Sequence, residues 1–162
     1  MIRLKPTDET QREIDALTRQ IERLAALPED ALRPTQEAIR ASFAANFASE
    51  SAGAASWAPL APRTVRDRER LGYPGEHPIL VRSGSYRRSF IDPADDEHYS
   101  RVTHEAGRTV IAEGTTDIRA GTLEFGSDRV PARPALIAGD AARQRITDAL
   151  DRLFATWLER EE

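Results

Sequence analysis

Three histidines, a run of acidic residues and an arginine-rich stretch are the places where this chain could do chemistry. His98 follows Asp95, Asp96 and Glu97 in DPADDEHYSRVTH, with His104 close behind and His77 further back. Imidazole and carboxylate together could hold a metal ion, but the spacing matches no standard ligand pattern, and the stretch reads as a solvated acidic loop between two strands. A serine hydrolase would place its nucleophile on a strained Gly-x-Ser-x-Gly elbow, which is absent. Ser83-Gly84-Ser85 has the look of a glycine turn, yet a phosphate loop also needs a following lysine, and Lys5 is the only lysine. The 27 acidic residues offer no spacing that singles out an acid–base pair. Cysteine is absent, which removes disulfides, thiolate metal sites and thiol nucleophiles. Neither an enzyme nor a cofactor is expected.

What stands out instead is arginine. Of 23 basic residues 22 are arginine, although the net charge is -4. The guanidinium fork suits carboxylates at protein interfaces and phosphates alike, and the overall sign argues against a dedicated duplex-binding domain. Arg63, Arg66, Arg68 and Arg70 are followed by Arg82, Arg87 and Arg88 around the glycine turn. They read either as a salt-bridged surface or as a basic face lining a channel for DNA. Trp57, in the Pro-bounded Trp57-Ala58-Pro59-Leu60 segment, reads either as a core anchor or as an interface hot spot.

The elements that must position these residues follow from period and punctuation. Residues 7 to 26 predict an amphipathic helix with Ile14, Leu17, Ile21 and Leu24 on one side. Pro28 breaks it and suits the first turn of a second helix reaching about Ser49, with Leu32, Ile39, Phe43 and Phe47 as its stripe. Pro34 is tolerable if that helix starts near Glu29 or Ala31. Ser49 to Ser56 reads as a flexible connection. A short helix is expected over Pro62 to Leu71, ending at Gly72, and Ile79-Leu80-Val81 reads as a short buried segment.

Tyr99 to His104 and Arg108 to Glu113 predict a hairpin turning at Glu105-Ala106-Gly107, and Thr122 to Phe125 an extended segment before Gly126. Pro131-Ala132-Arg133-Pro134 cannot be a central strand. The C-terminal helix starts at Asp140 and carries Ile146, Leu150, Leu153, Phe154, Trp157 and Leu158. The expected fold is α+β: N-terminal helices, a small antiparallel sheet and a long C-terminal helix. Residues 1–50 form an arm or hairpin and 51–162 the α+β body, together one compact domain. The start of the chain has no apolar core of a signal peptide, and no apolar run approaches a membrane span, so a protein made and used in the cytoplasm, without a membrane partner, is expected.

In the order of its motifs the chain resembles the virion-morphogenesis, or tail-completion, family of tailed phages. The resemblance runs from Phe47 and Gly53 through Trp57-Ala58-Pro59-Leu60, Thr64, Arg66 and Gly72. It continues in Ile79-Leu80-Val81, Ser83-Gly84, Arg87 and Ser89, then Glu124-Phe125-Gly126 and Pro131-Ala132-Arg133-Pro134-Ala135-Leu136. Tyr86 stands where the family usually carries leucine, and Arg119-Ala120 where it often has a Tyr-Ala pair. The resemblance implies a structural protein of the head–tail connection, made in the host bacterium and carried in the virion. It would be a homo-oligomeric ring of six or twelve subunits, joined to other neck or tail proteins, with passive DNA contact in its channel. Trp57, Leu60, Arg87 and Arg133 are the interface residues expected on that basis. Alternatives of other classes are an arginine-rich nucleic-acid-binding protein and a capsid accessory or decoration protein.

Overall fold

The computed structural model describes residues 7–25, 27–53, 55–105, 108–136 and 138–159, and the backbone alone at 20–25, 158 and 159. The expected Ala106-Gly107 turn and the side chains of Ile21, Leu24 and Leu158 lie outside the described residues. The fold is α+β.

Its spine is α2 (Glu29–Ser49), which begins directly after Pro28 with Glu29 and Asp30 in the first turn, where acidic groups favour the helix dipole. The helix runs through Pro34, whose missing N–H leaves one backbone bond unmade near the start. Leu32, Phe43 and Phe47 are buried as the stripe predicts. Ahead of it, α1 (Asp8–Ala25) is the helix the periodicity predicts, but every residue from Thr7 to Arg19 is exposed.

Within Ser49 to Ser56, expected to be flexible, β1 (Ser51–Ala52) instead pairs antiparallel with β2 (Ala55–Ser56), Ala54 between them lying outside the described residues. Glu50 turns the chain with φ 50°, and its carbonyl accepts the Trp57 N–H at 2.7 Å. Then α3 (Pro62–Arg70) forms with proline at its first position, and Gly72 follows with φ +77°. Of Ile79-Leu80-Val81 only Ile79 is fully buried, held by its N–H to Glu50 Oε1 at 2.7 Å.

A helix that the sequence reading missed, α4 (Ser85–Ile91), starts after Gly84 at φ +80°. Its Tyr86 and Phe90, four residues apart, both point into the core. With Phe43, Phe47, Trp57, Ile79 and Ala135 they form one cluster of edge-to-face rings, 5.1 Å between Tyr86 and Phe90 and 5.5 Å between Phe47 and Trp57. The hairpin of β3 (His98–Glu105) and β4 (Arg108–Thr115) covers α2 and α4, in register from His98 opposite Thr115 to Glu105 opposite Arg108.

Thr122 to Phe125 is not extended but part of a short helix, α5 (Ala120–Phe125). Asp117 nucleates it by accepting the Arg119 N–H at 2.8 Å, and Gly126 at φ +74° ends it. The Pro131 to Pro134 segment is irregular, as its prolines require. Finally α6 (Asp140–Glu159) packs along α2. Its deepest contacts are Ala142 and Ala149, while Ile146, Leu150, Leu153 and Trp157 are half-buried and Phe154 is exposed.

Candidate functional site

The segments that carry the family resemblance bind one another. The Trp57 indole N–H donates to the Pro134 carbonyl at 2.9 Å, and the Arg133 guanidinium donates to Ala58 O at 2.7 Å and Pro59 O at 2.8 Å. Arg133 N–H reaches Leu123 O at 2.6 Å, and the Glu124 carboxylate accepts the backbone N–H groups of Ala135 and Leu136 at 2.6 and 3.3 Å. Asn46 on α2 donates to Ala135 O at 2.8 Å. These bonds satisfy irregular backbone that no ladder serves, which is why two proline-rich segments can lie side by side.

Their joint edge forms one wall of a cleft of about 520 Å³ between α3, the start of α4 and α5. Leu60, Leu80, Leu123, Val130 and Pro131 give it apolar walls, and Arg68, Arg82, Arg119, Arg129 and Arg133 bring five guanidinium groups to it. Arg68 and Arg133 are 4% and 5% exposed, and neither has a carboxylate within ion-pair distance among the described residues. Arg68 donates to Pro78 O at 3.1 Å, but its Nε is buried without a partner, as is the Tyr86 hydroxyl. Buried cations and donors left in this state cost stability.

The electrostatics of the walls follow from burial. Burial pulls the Arg133 guanidinium below its ordinary value. Burial, followed by the charges of Glu124 and Asp117, pushes the Tyr86 phenol well above the usual tyrosine range, so it stays a neutral donor. Burial also raises Glu124, against the two backbone N–H groups that hold its charged form. Asp117 goes the other way, held low chiefly by its side-chain bonds to Arg119, which also stacks 5.4 Å from the Tyr86 ring. Asp67, the one acidic lining residue, is shared by Arg63 and Arg70 at 4.0 and 3.8 Å. The cleft lining therefore carries more cationic than anionic side chains, set among apolar ones.

Of the four expected interface residues, Leu60 and Arg133 meet in this cleft. Trp57 lies behind it, 6% exposed in the core, and Arg87 sits apart on α4, half-buried and outside the lining. Tyr86, Arg119 and Arg129 were not singled out as site residues, because only the meeting of distant loops brings them together. The one local signal was the four-residue step between Tyr86 and Phe90.

His98 does not lie in a solvated loop. Its side chain is 3% exposed, with Nδ1 3.0 Å from Ser89 O and Nε2 3.1 Å from Glu113 Oε2. Glu113 also accepts from Arg40 at 3.2 Å and Ser100 at 2.7 Å, so the carboxylate unites α2, β3 and β4. Ser89 Oγ donates to Tyr86 O rather than to the histidine ring, so the three residues do not form a nucleophile relay. Among the described residues no group of three or more His, Cys, Asp or Glu side chains is placed to hold a metal ion, and no helix is long and apolar enough to cross a membrane.

Comparison with protein-family models, with curated proteins and with solved structures finds no match to this chain.

Proposed function

We propose that this protein is a structural subunit of the phage head–tail connection, a ring-forming neck or tail-completion component with no catalytic role. The observation that carries the reading is apolar surface without a cover. Ile118 just before α5 and Phe125 at its end are 95% and 87% exposed, and Ile14 and Leu17 stand out on an arm exposed at every residue from Thr7 to Arg19. A chain that spends its motif residues on an internal scaffold while leaving such groups in water is built to be joined by other copies or partners. The mutual bonding of the Trp57 and Pro131 segments supports the resemblance, since it gives those short motifs a shared structural reason.

The arginine-rich segment supports assembly better than a free DNA footprint. Arg68 is buried, Arg63 and Arg70 share Asp67, and Arg88 lies 3.7 Å from Asp95. Native mass spectrometry of the purified chain, with negative-stain imaging of the same sample, tests the reading. A closed ring of six or twelve copies is expected. A monomer that binds duplex DNA tightly, with a steep salt dependence, would move the assignment to the nucleic-acid class.

A further inference from the structure

We propose that the arginine-lined cleft is the seat of the α1 arm from a second copy of this chain, with the carboxylates of Glu9 and Glu13 meeting its guanidinium groups. The inference rests on the assembly reading above and supplies one of its contacts.

Three observations lead there. First, the arm needs a surface. A helix of 18 residues is marginal in water by itself, and α1 holds Ile14 and Leu17 46% and 58% exposed. Second, the charges match by face. At 3.6 residues per turn Glu13 borders the Ile14 and Leu17 stripe and Glu9 lies one turn back on the same edge, while Arg12 and Arg19 fall on the opposite side. The face that would dock is therefore apolar with an acidic edge, and the cleft is apolar with arginines. Third, Arg82 and Arg129 stand exposed in the cleft lining, and among the described residues neither has a carboxylate within ion-pair distance. A carboxylate on a flexible side chain can reach them.

The arm belongs to a neighbour rather than to the same copy. Every residue of the arm from Thr7 to Arg19 is exposed, and none of them lines the cleft, so in this structure a copy does not cover its own cleft.

The test is photo-crosslinking in the full-length protein. Leu17 is replaced by benzoylphenylalanine in an unlabelled copy, which is mixed with an isotope-labelled parent copy, irradiated and mapped by mass spectrometry. The expected adduct joins the two copies at cleft residues such as Leu60, Leu123 or Val130. Arg82→Glu with Arg129→Glu in the accepting copy, both exposed positions, reduces it by roughly tenfold or more, and Glu9→Arg with Glu13→Arg in the donor restores it. Adducts between copies at another surface, such as around Ile118 and Phe125, would overturn the cleft as the seat while leaving assembly standing. Adducts confined to one copy would also overturn it. A protein that stays a single copy by mass and gives no adduct between copies would take the assembly reading down as well.

Discussion

Asp117 sits in the turn before α5, 4% exposed, and binds the Arg119 guanidinium and backbone together. Its carboxyl is held below the ordinary 3.8 chiefly by those side-chain bonds. Ionised Asp117 thus adds stability above the unfolded value, and that contribution disappears as pH falls through the lower folded one. Asp117→Asn is expected to lower the urea midpoint at neutral pH and to flatten its decline on acidification below the ordinary carboxylate range. Parallel unfolding curves would mean that the pair contributes nothing. At the centre of the ring cluster Phe90 is fully buried, and Phe90→Ala should cost about 3–5 kcal/mol in equilibrium denaturation at fixed subunit concentration. Burial of Phe43, Phe47 and Leu32 was legible from the sequence, since helical spacing marks a face. The arginine cleft was not, because Arg68, Arg119 and Arg133 come from three separate segments and nothing in their local patterns aims them at one space.

Among the elements, long periodic stretches were readable, and so was the short α3, marked by Pro62 and Gly72. The two N-terminal helices, the hairpin of β3 and β4, and the C-terminal helix all follow from period alone. The short α4 and α5 depend on tertiary support. Their starts rest on Gly84 and on the Asp117 turn, and their apolar residues are too few to declare a period. The extended reading of Thr122 to Phe125 failed because the Arg133 N–H and the Glu124 carboxylate tie that segment, as a helix turn, to the irregular Pro131 to Leu136 run. Gly126 shows how tight the junction is. A Cβ there would lie 2.8 Å from Ala132 N, at a positive φ of +74°. Gly126→Ala should therefore destabilise the body by roughly 1–3 kcal/mol, visible as a lower melting temperature. On the arm the opposite is expected: Ile14→Glu with Leu17→Glu should leave the stability of the monomeric chain within about 0.5 kcal/mol while abolishing assembly. A large loss of monomer stability would show that the arm packs on its own body.

For the molecule as a whole, one aromatic core holds together α2, the Trp57 segment, α4 and the Pro131 to Leu136 segment, leaving the arm, the cationic cleft and apolar groups such as Ile118 and Phe125 at the surface. In the proposed reading the Trp57 and Pro131 to Leu136 segments build the scaffold, and assembly is the work of the surfaces around it. Electron microscopy of a lysate from a phage whose copy of this gene is inactivated tests that claim most directly. DNA-filled heads lying beside separate tails are the predicted result, and normal joined particles would contradict it.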